Sequence, residues 1–172
     1  NKMLQELVNP HEKGKNEITV GFKVFREGDK VMQIKNNYNI GWEKGKDSGE
    51  GIFNGDIGII EKIDIKNECV IICFDDDRRA TYMKDQLIEL ELAYAVTVHK
   101  SQGSEFKAVI LPIISVIPQL KYRNLLYTAV TRAKEKLVIV GSSAEVFEMA
   151  QNDKKTRRYS ALKYMLLENN NE

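Results

Sequence analysis

Two segments do most to limit what this chain can fold into: Ala93–Phe106, AYAVTVHKSQGSEF, and Asn124–Gly141, NLLYTAVTRAKEKLVIVG. The first reads as a strand that breaks into a polar, glycine-containing loop, and the second as a helix running into a buried strand. Tyr94–Val98, Ala108–Ile113 and Leu137–Val140 are expected as buried strands, with a helix over Leu120–Ala133. On that helix Tyr122, Leu126, Ala129, Val130 and Ala133 form one apolar stripe. Arg132 falls on the flank of the stripe, where it can leave the core and point at a ligand. A further helix is expected around Ala144–Ala150, and a last one over Tyr159–Glu168 after the basic KKTRR run, itself read as a solvated loop. Alternating strand and helix implies a mostly parallel sheet with helices on its faces.

Upstream the pattern differs. Asn1–Pro10 places Met3, Leu4, Leu7 and Val8 at helical spacing and stops at Pro10. HEKGKNE follows as a polar loop, and from Ile18 to Leu92 short apolar runs alternate with turn signals. Strands are expected at Lys30–Lys35, Ile57–Ile63, Cys69–Phe74, Ala80–Met83 and Ile88–Leu92. In the last, Ile88, Leu90 and Leu92 alternate with Glu89 and Glu91, the period of a half-buried strand. Five short strands with tight turns suggest a small SH3-like barrel. Asn36–Asn54, with four glycines and several charges, reads as a long mobile loop.

Composition narrows the class. With 42% hydrophobic and 30% charged residues the chain is expected to be globular and soluble, and its two cysteines, read as reduced, go with a cytoplasmic protein. No apolar run approaches a membrane span, and residues 1–30 hold no signal-peptide core. Cys69 and Cys73 have only His11 and His99 to complete a zinc site, so reduced core cysteines are the better reading. Asp75–Asp77, beside Arg78 and Arg79, reads as an acidic turn neutralised by arginine and not as a metal site. The net charge of +1 hides an asymmetry: residues 93–140 carry seven basic against two acidic side chains, residues 50–92 five against eleven. The first balance suits a phosphate backbone and the second repels it.

The Ala93–Phe106 and Asn124–Gly141 segments together resemble the last two helicase motifs of superfamily 1 DNA helicases, of the RecD-like branch (a UvrD-type C-terminal helicase domain, similar to the exodeoxyribonuclease V alpha subunit). LQ and NP in Asn1–Pro10 and GDKVMQIKNNYN at Gly28–Asn39 resemble further stretches of that family. The resemblance implies an α/β fold: an incomplete RecA-like second lobe, formed by residues 1–17 and 93–172, with an SH3-like barrel inserted at 18–92 and a mobile loop near 39–54. It implies 5′→3′ translocation on single-stranded DNA driven by ATP and Mg²⁺, in DNA repair or recombination. The partners would be the N-terminal RecA-like lobe of the same polypeptide and, in an exonuclease complex, other subunits.

By position, Thr97, His99, Lys100 and Ser101 would face DNA phosphates, Gly103 the ATP phosphates and Glu105 the ribose. Arg132 would be the catalytic arginine that reaches the γ-phosphate. Hydroxyl, ammonium and imidazole groups donate to phosphate oxygens, and a guanidinium stabilises charge on a transferring phosphoryl group. Asn37 and Tyr38 would meet DNA, Tyr38 by stacking on a base. Trp42 is open between base platform, pin and loop anchor. Plainer readings stand beside these: a carbonyl-bonded His99, a first-turn Glu105, a packed Tyr38, and an Arg132 that complements a helix C-terminus. Lys134 and Lys136 fit that last reading. The sequence holds no GxxxxGK[ST] phosphate loop and no acidic strand to hold Mg²⁺. That absence, with Asn1 in first place, leads to the expectation of a second lobe taken from a larger polypeptide and inactive alone. A non-catalytic adaptor, its barrel binding a protein partner, is the alternative.

Overall fold

The computed structural model describes residues 1–153 as two compact units, Asn1–Ser104 and a second beginning at Glu105. The expected helix at Tyr159–Glu168 and the KKTRR run at Lys154–Arg158 lie outside the described residues.

The first unit opens with α1 (Lys2–Val8) and a hairpin of β1 (Glu17–Val20) and β2 (Lys23–Arg26). Seven strands follow: β3 (Lys30–Gln33), β4 (Asn37–Lys44), β5 (Asp47–Ile52), β6 (Ile57–Asp64), β7 (Cys69–Phe74), β8 (Arg79–Met83) and β9 (Leu90–Leu92). They make one sheet in the order β5-β4-β8-β7-β6-β3-β9, every pair antiparallel. The pairing ends at β5 and β9, so the ladder is open where the sequence suggests a closed barrel. Phe25, Val31, Ile40, Ile52, Ile60, Val70, Ile72, Phe74, Tyr82 and Leu90 fill its single core. Alternation explains β7 well: Val70, Ile72 and Phe74 are buried, while Cys69 and Cys73 face the other side, half-buried and free. The two cysteines are therefore not the core residues that the sequence suggests.

Three other expectations are corrected. Asn36–Asn54 is not a loop: β4 and β5 form a hairpin there, with Lys44 opposite Asp47. Ile40 and Ile52 anchor it in the core, and Trp42 packs across Gly49, its register partner, where an added Cβ would lie 2.6 Å from the indole. The Arg78 guanidinium lies 5.7 Å from the same indole centroid. Trp42 thus anchors the hairpin. At Ile88–Leu92 the period of two fails, because a 3-10 turn over Gln86–Glu89 leaves Ile88 exposed before β9 starts. Tyr94–Val98 is irregular instead of a buried strand. The Ala93 amide makes the last ladder bond, to Lys30 O at 2.7 Å, and the Asn1 side chain then takes both backbone groups of Ala95.

A buried carboxylate ties the unit's distant segments together. Asp29 is fully buried and accepts four hydrogen bonds: from Gln5 Nε2 (2.6 Å), Asn9 Nδ2 (2.7 Å), the Arg26 amide (2.7 Å) and the Tyr94 hydroxyl (2.8 Å). Burial, and then the bond to Asp29, push the Tyr94 phenol up to about 12. Arg26 sits beside this hub, donating to Glu6, Glu17 and the Asn9 carbonyl. The acidic turn is neutralised in part: Arg78 pairs with Asp76 at 2.6 Å and also with Asp56 at 2.8 Å, while Arg79 turns to Glu61 instead, at 2.8 Å.

In the second unit β10 (Phe106–Ile113) and β11 (Ala133–Gly141) pair in parallel, joined through a 3-10 turn and α2 (Arg123–Val130), before α3 (Ser143–Gln151). A parallel pair requires such a crossover. The strands are where the sequence puts them, yet Ile110, Val138, Ile139 and Val140 are exposed within the described chain, against the expected burial. A two-stranded sheet covered by little else cannot bury both faces. Ala129 and Met149 are the buried side chains of α2 and α3, and Lys121 ion-pairs with Glu145 and Glu148 across them. Gly141 sits at φ +145°, where a Cβ would meet the Ile113 carbonyl oxygen at 1.9 Å, so the end of the pair admits no side chain.

Among the described residues, no helix is long and apolar enough to cross a membrane, and no group of His, Cys, Asp and Glu could hold a metal ion.

Candidate functional site

The turn Thr97–Ser104 follows directly on the Asp29–Tyr94 bond, so its entrance is fixed to the buried hub. Its own geometry is internally pinned. The Thr97 hydroxyl accepts from the Lys100 amide at 3.3 Å, and the Ser101 hydroxyl donates to the Val98 carbonyl at 2.9 Å. Ser101 is 4% exposed, so its hydroxyl shapes the turn in this state instead of facing solvent. Thr97, His99, Lys100 and Gly103 are exposed. Gly103 adopts φ +87° with open space around the position of a Cβ, so conformation and not crowding selects glycine here.

Lys100 reaches Glu91 on β9, Nζ to Oε2 at 2.6 Å. That hydrogen bond holds the Glu91 carboxyl below the ordinary glutamate range, with partial burial opposing it. One turn of chain earlier, the Glu89 carboxylate accepts from Gln33 Nε2 and Asn37 Nδ2, both at 2.9 Å. Tyr38, next to Asn37, is 65% exposed and meets Phe53 edge to face, with ring centroids 5.6 Å apart. The structure therefore links Asn37 and Tyr38 to Lys100 through two acidic residues of one short segment, Glu89 and Glu91.

In the second unit, register places Glu105 and Arg132 together. Phe106 stands opposite Ala133, and the Phe106 amide donates to the Arg132 carbonyl at 2.8 Å. The residues just before these, Glu105 and Arg132, thus share one end of the parallel pair. Glu105 is exposed and ion-pairs with Lys134 at 3.0 Å. The Arg132 guanidinium folds back on the last turn of α2, Nε donating to Thr128 O at 3.1 Å. It lies just beyond the helix, which ends at Val130, and not inside it. A cation on those carbonyls complements the helix dipole.

Sequence reasoning missed Asp29, Glu91 and Phe53. Only Asp29 had a readable signal, as an acid in a Gly-Asp turn before an apolar strand, and nothing local announces that four donors converge on it.

Comparison with known proteins gives the arrangement a family. Residues 1–74 match the ATP-dependent RecD-like DNA helicase SH3 domain, and residues 92–140 match the UvrD-like helicase C-terminal domain. The ATP-dependent RecD2 DNA helicase of Deinococcus radiodurans is 34% identical over 94% of this chain, and the chain spans 20% of that protein. The RecBCD enzyme subunit RecD of Mycolicibacterium smegmatis is 37% identical over 58% of this chain, which spans 17% of it. The crystal structure of a Bacteroides Pif1 helicase with ADP-AlF3 and ssDNA aligns over 98% of this chain and 42% of that one. Its TM-score is 0.52 at 18% identity, a likeness of fold alone. With both family matches falling on the segments that carry the hub, the turn and Arg132, the chain belongs to the RecD-like helicases of superfamily 1.

Proposed function

We propose that this chain forms part of an ATP-dependent DNA helicase that translocates 5′→3′, gripping single-stranded DNA through the Thr97–Ser101 turn and using Arg132 at the γ-phosphate of ATP. The observation that supports it most is the turn itself. Its backbone is pinned by Thr97 and Ser101 while His99, Lys100 and Gly103 stay open to solvent. A rigid turn offering an ammonium and an imidazole is suited to phosphate oxygens. Glu105 takes a sugar hydroxyl in this reading, and Gly103 lies near the nucleotide phosphates. The ATP would come with Mg²⁺, whose ligands belong to a phosphate-loop lobe elsewhere in the polypeptide, and the isolated chain does not turn ATP over. Residues 1–17 and 93–172 belong to the second RecA-like lobe in this proposal, and 18–92 to its insert, whose seven strands form an open antiparallel sheet.

Strand displacement by the full-length protein tests polarity. Unwinding of a 5′-tailed duplex with none of a 3′-tailed one is the expected result, and the reverse preference would overturn it.

Glu91 offers a sharper test of the grip. Lys100 cannot serve Glu91 and a DNA phosphate equally, so the ion pair competes with binding. Glu91→Gln removes that competitor, and exposed pairs of this kind are worth about 0.2–1 kcal/mol. Affinity for single-stranded DNA is therefore expected to rise by up to about fivefold at low salt, read by fluorescence anisotropy. Unchanged or weaker binding would take Lys100 out of the interface.

A further inference from the structure

Resting on the single-strand reading above, we infer that Tyr38 and Phe53 form a two-ring platform on which bases of the bound strand stack. Phe53 is 41% exposed and Tyr38 65%, although both belong to a segment whose isoleucines, Ile40 and Ile52, are fully or nearly fully buried. These two large rings meet each other at the surface, and their placement is built rather than loose. The Phe53 ring rests on Gly51, where an added Cβ would come within 3.0 Å of its Cζ. Tyr38 meets it edge to face at 5.6 Å. The backbone on both sides is clamped: the Asn54 amide donates to the Asn36 side chain at 2.9 Å, and the Phe53 amide to Asp56 at 3.0 Å.

The platform adjoins the phosphate-gripping turn within the same unit. The next residue along from Asn54 is Gly55, and a Cβ there would be 4.0 Å from the Lys100 carbonyl. On the other flank Asn37 is held by Glu89, two residues from the Glu91 that holds Lys100. A strand whose phosphates meet Lys100 and Thr97 therefore has its neighbouring bases within reach of the rings. An extended single strand is the occupant that needs both features at once, since its phosphates are charged and its bases expose π-faces. Duplex DNA offers no free base face, and an acidic protein partner has no use for a pair of exposed ring faces. Glu89 and Glu91 line the same surface and would repel an unguided polyanion. Binding there must overcome that repulsion through base stacking and through Lys100 once it is released.

The test compares the protein with its Phe53→Ala and Tyr38→Ala variants in anisotropy titrations. The probes are a labelled oligothymidylate and an abasic oligomer of the same length. Each variant is expected to bind the oligothymidylate about tenfold more weakly while its affinity for the abasic strand is unchanged. Phe53→Tyr should restore binding and Phe53→Leu should not, since leucine keeps apolar bulk without a π-face. Both residues are exposed, so the core is untouched, and the fluorescence of Trp42, the single tryptophan, reports folding. Equal losses on both probes would overturn stacking. Unchanged affinity for both, with the unaltered protein binding well, would overturn the platform alone and turn the rings over to a protein partner. Failure of the unaltered protein to bind either probe would overturn the single-strand reading together with it.

Discussion

Replacing Asp29 with alanine is expected to destabilise the Asn1–Ser104 unit by about 4 kcal/mol, the loss that follows when a buried carboxylate is taken from the donors that it satisfies. The reason is the convergence on one carboxylate. Gln5 and Asn9 come from α1 and the residue after it, the Arg26 amide from β2, and Tyr94 from the segment leading into the candidate turn. Alanine removes this acceptor in a place water does not reach, as Asp29 has no exposed surface: the Gln5 and Asn9 amides keep their bonds to the Val24 and Glu27 carbonyls, whereas the Arg26 amide and the Tyr94 hydroxyl lose the acceptor they have here. Each unsatisfied buried donor costs about 1–3 kcal/mol, and the total falls short of their sum because the segments relax together. Urea denaturation followed through Trp42 measures the loss. Asp29→Asn keeps an acceptor but gives up the charge, and should lose about half as much. A shift below about 1 kcal/mol for alanine would show that the hub is incidental to the fold. Loosening Tyr94 should also weaken single-strand binding, three residues upstream of Thr97.

Arg132→Ala in the full-length protein is expected to lower ATP turnover by about a thousandfold while leaving single-strand affinity unchanged. A guanidinium at the transferring phosphoryl group is worth about that factor or more. The contact that Arg132 makes with Thr128 O sets the competing outcome. Were its role only to complement the end of α2, alanine would cost about 0.3–1 kcal/mol of stability and leave turnover intact. Steady-state ATPase, anisotropy and thermal melting on the same preparation separate the two. Arg132→Lys sharpens the distinction: lysine retains the charge at the helix end but not the planar fork that a phosphoryl group engages. Turnover lost in both variants with melting restored in lysine would assign the arginine to chemistry.

Local pattern made much of this molecule legible. The stop at Pro10 bounds α1, the alternation of Val70, Ile72 and Phe74 defines β7, and Gly141–Ser143 marks the passage from β11 to α3. These are properties of neighbouring residues, and they survive without knowledge of the rest of the chain. The two motif segments likewise carry the family in their order and spacing, a one-dimensional signal that the comparisons bear out.

Where the sequence led astray, the deciding interaction came from far along the chain. Four glycines and many charges make Asn36–Asn54 look like a loop, but the pairing of Trp42 with Ala80 and the burial of Ile40 and Ile52 turn it into a hairpin. Tyr94–Val98 has the composition of a strand, but its first backbone groups are claimed by Asn1 and its tyrosine by Asp29. The candidate site follows the same division. Residue types and their order, from Thr97 to Arg132, belong to the sequence. That Lys100 is held by Glu91 and that Phe53 meets Tyr38 were decided only in three dimensions. Periodicity records which side of an element is apolar, whereas a hydrogen bond or ring contact across 9 to 94 residues of chain depends on where folding delivers both partners.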